Sequence, residues 1–367
     1  MKWFLFLNIL TILIFIESGV TGSYKESAHG NSTYGVKRSS IDYVKGNCGH
    51  CHEMHASIHG EEPAPAGSIG SFALFANNFN TAKIIGPYEQ NDNFCFYCHC
   101  GDDAIILQNP AFYNYNYSRT FGGYSNSTIN SIFEAFNQAS YHNLYDIWNF
   151  AKDYFSSFFT LDSNPCVACH NPHIAKRKYA ISKPTAHANL WGDTNNETMG
   201  KYAIYQPPYC WNFNNLEPDC SNLDRITQAF KTPDYVTFCQ DCHHRYYPPP
   251  YSSILDRALK DINWGTSVHG KIDSWKKCDT EERKAPYNTA EANYILSCTD
   301  CHEPHGSPNF KYLIRREVNG DIVIINLDND WDSLCLKCHN TNHYSNETCI
   351  ECHYHGATDN ETGNPIF

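Results

Sequence analysis

One five-residue pattern, Cys-x-x-Cys-His, occurs seven times in this chain and constrains its folding more than any other feature. The copies are Cys48–His52, Cys95–His99, Cys166–His170, Cys239–His243, Cys298–His302, Cys335–His339 and Cys349–His353. Composition alone predicts about 0.05 such patterns, so accident is excluded. Two thiols three residues apart, followed at once by an imidazole, are the attachment signature of c-type haem. On that reading Cys48 and Cys51, Cys95 and Cys98, Cys166 and Cys169, Cys239 and Cys242, Cys298 and Cys301, Cys335 and Cys338, and Cys349 and Cys352 add to porphyrin vinyl groups. His52, His99, His170, His243, His302, His339 and His353 become the proximal iron ligands. Zinc ribbons and redox dithiols also use Cys-x-x-Cys. Neither needs an invariant trailing His, and here every copy has one.

By these motifs, which run from Cys48 to His353, the chain resembles the multihaem c-type cytochromes. The resemblance implies seven covalently bound haem c groups, and attachment outside the cytoplasm. The N-terminus agrees with export: Met1 and Lys2 precede a mostly apolar run from Trp3 to Ile16, and small residues follow Glu17 through Gly22. That is the layout of a signal peptide over residues 1–22, and the run is short for a membrane span. An uncleaved anchor is the alternative. Residues 23–367 then form one heptahaem domain with about 49 residues per motif. The chain has little continuous apolar sequence. The porphyrins are therefore expected to be the core, with 21 Phe, 25 Tyr and 7 Trp packing on their faces and edges. A net charge of −12 argues against nucleic acid as a partner and permits basic redox partners. Six glycosylation sequons, at Asn31, Asn116, Asn126, Asn196, Asn346 and Asn360, would lie on surface loops of an exported chain.

Each iron has a sixth position. Twelve histidines remain after the proximal ones, whereas only Met54 and Met199 remain once the leader is removed. Mostly bis-His ligation follows, and low potentials with it. Ser-x-His-Gly places His29, His59 and His269 beside a glycine that lets backbone pass close to a porphyrin face. His173 and His305 each follow a motif directly, in Asn171-Pro172-His173 and Glu303-Pro304-His305. A His three residues past the proximal one cannot easily reach the far face of its own haem, but it can reach a neighbour's. In multihaem cytochromes a similar Cys-His-x-Pro-His pattern lends its second His to an adjacent haem. His142, His187, His343 and His355 follow as further distal candidates. His55 shares the spacing but lacks the proline, and His50 and His244 rank last. Of the four remaining cysteines, Cys210 and Cys220 close a short loop and are expected to form a disulfide. Cys100 and Cys278 either pair or stay free thiols.

Along the chain, residues 23–47 read as an extended arm. Apolar positions from Ile129 to Phe158 follow a helical period, predicting one or two helices capped by Ser127 or Thr128 and broken near 140–143. Residues 253–263 read as a short helix. Asn319-Gly320 between β-prone runs 313–318 and 321–327 predicts a hairpin. The last two motifs start only 14 residues apart, so their haems should be neighbours. Motif spacing is irregular, which argues against a true repeat. The fold class expected is mostly irregular coil with short α-helices and a small β-hairpin, wrapped around a chain of seven c-type haems.

The function expected is electron transfer rather than catalysis. The Asn/Tyr-rich loops, the arm bearing His29 and the terminal haem pair resemble the extracellular cytochrome nanowire subunits. That resemblance implies secretion or cell-surface placement, extracellular acceptors or other redox proteins as partners, and head-to-tail polymerisation. His29 is then the candidate for ligating a haem of the next subunit. The alternative is a multihaem reductase or oxidase with one open-site haem. No motif here ends in Lys, as the catalytic one of the nitrite reductase family does.

Overall fold

A computed structural model describes residues 24–53, 71–100, 129–173 and 298–340, a few positions within them excepted. It also describes the short pieces 211–212, 217–218, 236–243, 248–259, 262, 269, 283–284 and 296. Most of these residues are coil and turn. The α-helices are α1 (Ile132–Ala135), α2 (Leu144–Tyr154), α3 (Val236–His243) and α4 (Asp332–Cys335). The strands are two residues long: β1 (Ser140–Tyr141), β2 (Trp211–Asn212), β3 (Glu217–Pro218), β4 (Tyr251–Ser252), β5 (Arg257–Ala258), β6 (Gly306–Ser307), β7 (Glu317–Val318) and β8 (Asp321–Ile322). They pair antiparallel as β1 with β6, β2 with β3, β4 with β5, and β7 with β8. The expected mostly irregular class is what the chain adopts.

The helical period from Ile129 resolves into α1 and α2, broken where expected. The cap differs. Ser131 accepts the Glu134 amide and starts α1, while Ser127 and Thr128 lie outside the described residues. Asn143 caps α2 by accepting the Asp146 amide at 3.0 Å. The break is filled by β1, whose Tyr141 pairs with Gly306. Only glycine fits there, because a Cβ at position 306 would lie 1.8 Å from the Ala135 carbonyl oxygen.

Three expectations need correction. Residues 253–263 do not begin a helix. The β4–β5 turn and β5 itself occupy 253–258, because the Asp146 carboxylate takes both the Ser253 amide at 2.8 Å and its hydroxyl at 2.5 Å, and Asp256 sits at φ 49°; 260, 261 and 263 lie outside the described residues. The N-terminal arm is not extended. It doubles back in turns, with Gly35 N–H on Asn31 O, Val36 N–H on His29 O and Gly46 N–H on Val36 O. The hairpin at Asn319 forms with Val318 opposite Asp321, but is shorter than its β-prone flanks. Tyr312 and Leu313 are left-handed, and Ile314 bridges to His302 instead.

Among the described residues, apolar packing gathers into three small clusters, each attached to a motif. Phe150, Ala151, Phe155 and Phe159 enclose Ala168 of the third motif. Tyr88, Phe136 and Leu144 enclose Phe96 of the second. Ile314, Val318, Val323, Ile325 and Trp331 pack against Cys338 of the sixth. Among the described residues no helix is long and apolar enough to cross a membrane.

Candidate haem-ligation site

Five of the six described motifs share one backbone turn. The first cysteine's carbonyl accepts from the second cysteine's amide at 3.0–3.3 Å and from the histidine's at 2.8–2.9 Å, in the copies starting at Cys48, Cys95, Cys166, Cys298 and Cys335. A 3₁₀ turn aligns side chains three residues apart, so the two sulfurs share a face. Asparagine caps the first three turns. Asn47 accepts from Gly49, Asn93 from Cys95 and Asn164 from Cys166. The fourth motif instead ends α3.

The imidazoles come together in pairs. His52 faces His173 at a ring-centre separation of 6.2 Å with planes 12° apart, and His170 faces His305 at 6.0 Å and 22°. His142 faces His243 at 6.2 Å and 29°. His29 and His99 stand 6.1 Å apart, and His269 and His339 6.3 Å, each pair at 73°. Every pair joins one motif histidine to one candidate distal histidine. A metal–imidazole bond is about 2.0–2.1 Å, and a ring nitrogen sits about 1.1 Å from its ring centre. One metal between two imidazoles therefore separates their centres by about 6.2–6.4 Å. The five separations fit an iron held between the rings.

Second contacts aim the rings. The Nδ1–H groups of His52, His29, His142 and His302 donate to backbone carbonyls of Phe72 (2.9 Å), Pro172 (2.7 Å), Pro304 (2.5 Å) and Tyr312 (2.7 Å). With Nδ1 so occupied, Nε2 is the nitrogen left for a metal. Burial holds the pKa values of His29, His142, His173 and His302 below the usual imidazole range. It presses His243 to about 4, aided by His142 and His302, and His305 to about 3, aided by His170, His142 and His99. Neutral imidazole is the form that ligates.

The first and fifth motifs sit in the same clamp. Glu53 N–H donates to Ala73 O and Glu303 N–H to Leu313 O, each at 2.7 Å. Phe75 N–H donates to Cys51 O and Arg315 N–H to Cys301 O. The carbonyl that takes the histidine's Nδ1–H belongs to an aromatic residue in the left-handed region, Phe72 (φ 63°) or Tyr312 (φ 59°). Ala73 (φ 52°) and Leu313 (φ 54°) follow in the same conformation. In the fifth motif a buried ion pair backs the clamp. Arg315 lies 3.3 Å from the Glu303 carboxylate and donates to Thr299 O at 2.6 Å.

Neighbouring motifs lie within electrostatic reach of one another in sequence order. The Cys95 thiol lies within the field of Cys51 and hydrogen-bonds with Cys166, which together with burial holds it well above the usual thiol range. Burial pushes Cys169 up to about 12, with Cys166 adding to it, and Cys242 upward, with Cys169 adding to it. His243 feels His302, and Cys301 feels Cys338. The first six motifs therefore form a row that follows the chain. Asn93 and Asn164 join the second motif to the third by reciprocal side-chain bonds of 3.2 and 3.0 Å. Among the described residues no three His, Cys, Asp or Glu side chains converge on one point, as a zinc ribbon would require.

His50 is buried with both ring nitrogens engaged, Nδ1 accepting from Arg38 N–H and Nε2 donating to Val44 O, so it braces its loop. His29, the candidate for reaching another subunit, is seated against His99 of its own chain. His59, His187, His343, His355, the seventh motif (Cys349, Cys352, His353), Cys210, Cys220 and Cys278 lie outside the described residues, as do His55 and His244. Cys100 is buried, its sulfur donating to Tyr97 O and accepting from Gln90. The capping asparagines and the Phe72 and Tyr312 carbonyls were not picked out from sequence. Their signals were Asn two residues before Cys95 and Cys166, and Glu after His52 and His302.

Residues 292–344, which hold the fifth and sixth motifs, match the family model described as the doubled CXXCH motif. No curated protein and no solved structure matches the chain. The match points to a multihaem c-type cytochrome with covalently bound haem c, a haem electron-transfer protein.

Proposed function

We propose that all seven motifs carry haem c and that five of the irons take two imidazoles each: His52 with His173, His99 with His29, His170 with His305, His243 with His142, and His339 with His269. His302 and His353 are the proximal ligands of the other two, which draw on His59, His187, His343 and His355. When bound, haem c supplies one-electron exchange at its iron. The chain's residues do the rest. The motif turns would hold the thioether edges, the paired imidazoles would keep both faces of those five irons closed, and the links between successive motifs would fix the row along which charge moves. Residues 1–22 direct export, and the mature chain passes electrons to extracellular partners. A head-to-tail contact that never closes would string copies into a fibre.

The observation that carries this reading is the pairing of five motif histidines with five non-motif histidines at 6.0–6.3 Å. Mass spectrometry of the mature protein is expected to find seven haems. Electron paramagnetic resonance of the ferric protein is expected to show only low-spin iron, in two groups. The near-parallel pairs (His52/His173, His170/His305) should give rhombic signals, and the perpendicular pairs (His29/His99, His269/His339) more axial ones. Fewer haems, or high-spin iron binding carbon monoxide when reduced, would overturn the reading. Negative-stain microscopy of the secreted protein tests the fibre.

A further inference from the structure

The two Cys-His-x-Pro-His segments have the same surroundings. In the first, His170 faces His305 and His173 faces His52. Between them the Pro172 carbonyl accepts the Nδ1–H of His29, whose ring faces His99. In the second segment His302 is the motif histidine and His305 faces His170. The Pro304 carbonyl accepts the Nδ1–H of His142, whose ring faces His243.

We infer that each segment is a hub for three irons, with its proline carbonyl as the third contact. The inference rests on the ligand pairs proposed above. The first hub serves irons three, one and two, and the second serves irons five, three and four. The roles repeat with a shift of two motifs. An upstream histidine (His29, His142, His269) serves each even motif, and the histidine trailing an odd motif serves the odd motif before it. This is a two-haem repeat. Spacing conceals it, since motif starts are separated by anything from 14 to 73 residues.

Pro172 and Pro304 are positioning residues. Proline fixes φ near −65°. The carbonyl that steadies one iron's imidazole lies in the same planar peptide as the amide of the next residue, which faces another iron, and the ring limits how that peptide can swing. The approach is fixed from the other side as well. Asn171 accepts the His173 amide at 3.1 Å, and the corresponding Glu303 is pinned by Arg315 and by Leu313 O. A carbonyl bound to Nδ1–H raises a ligand's basicity and favours the oxidised metal. Irons one and two, and irons three and four, are accordingly tied through one peptide each.

The test uses the haem-loaded chain, with haem methyl resonances of the ferric protein assigned by single distal-histidine substitutions. Pro172→Gly is expected to displace the resonances and potentials of irons one and two together, leaving four and five in place. Pro304→Gly is expected to displace three and four together. The size expected is about a tenfold change in oxidised-over-reduced preference, 59 mV for a one-electron couple. His29→Met keeps a ligand but removes the Nδ1–H, and is expected to move iron two strongly and iron one in the same variant. If Pro172→Gly moves iron one alone, or His29→Met moves iron two alone, the hub is wrong while the ligand pairs survive. If His29→Met leaves iron two untouched, the underlying pairing itself fails, and the hub with it.

Discussion

Asn93 and Asn164 join two motifs by reciprocal hydrogen bonds, and the strength of that joint is measurable by a double-mutant cycle. Both are buried. Each Oδ1 accepts a motif-cysteine amide, Cys95 at 2.9 Å and Cys166 at 3.0 Å, and each Nδ2 donates to the other's Oδ1. Asn164 also donates to Asn78 O at 2.7 Å. Asn164→Ala removes a cap, worth about 1 kcal/mol, and leaves the buried Asn93 amide without its partner, at about 1–3 kcal/mol. The single cost is then about 3 kcal/mol, and Asn93→Ala costs much the same. Were the two independent, the double variant would lose about 6 kcal/mol. The second substitution removes a group whose bonds are already broken, so about 4 kcal/mol is expected, an interaction of about 2 kcal/mol. Asn47→Ala is the control, since Asn47 caps the first motif alone, accepting from Gly49 at 2.8 Å, and should cost about 1 kcal/mol. Urea unfolding followed together by Soret absorbance and far-ultraviolet circular dichroism reads all four. Additivity of the two single costs within about 0.5 kcal/mol would refute the joint.

Phe72→Gly relieves a left-handed residue whose ring is 55% exposed and should raise stability by about 1 kcal/mol. Tyr312→Gly relieves the same strain but gives up a ring stacked 5.6 Å from Trp331, so it should lower stability; opposite signs in urea midpoints check the pair. Arg315→Leu leaves the Glu303 carboxylate buried without its cation and should cost about 3–5 kcal/mol, whereas Arg315→Leu with Glu303→Leu should recover most of that loss. Equal costs for the single and double variants would contradict this account of the fifth clamp. Chain produced without haem attachment should lack a cooperative thermal transition, and a sharp transition in that material would show that the three apolar clusters suffice on their own.

The motifs were legible because covalent chemistry fixes residue type and spacing together. His29, His142, His173, His269 and His305 were legible as distal candidates from a glycine after the ring, a proline before it, or a place at a predicted helix break. Which motif each faces was not legible. His173 and His305 skip over one motif in the sequence, since the row brings the first and third motifs, and the third and fifth, around the same segment. The helix expected at 253–263 failed because Asp146, over a hundred residues away, holds Ser253 by two hydrogen bonds. Alternation was legible in 321–327, where Val323 and Ile325 point inward and Ile322 and Ile324 outward. The clamp was not, because it depends on paired left-handed backbone at Phe72-Ala73 and Tyr312-Leu313, conformations such residues seldom adopt.

A chain with so little regular structure still needs its imidazoles placed to within a fraction of an ångström. Helices and sheets do not supply that here, since among the described residues the strands are two residues long and only α2 exceeds eight residues. The precision comes from short polar links that each end on a motif: asparagine caps on the turns, carbonyls on Nδ1–H groups, and the Asn93–Asn164 joint. Along the row these links alternate in kind. A proline carbonyl ties the first motif to the second, reciprocal asparagines tie the second to the third, and a proline carbonyl again ties the third to the fourth. Each link spans one gap and is local in space though distant in sequence. Long loops between motifs can therefore vary in length without disturbing the links, which accounts for an ordered row arising from irregular spacing.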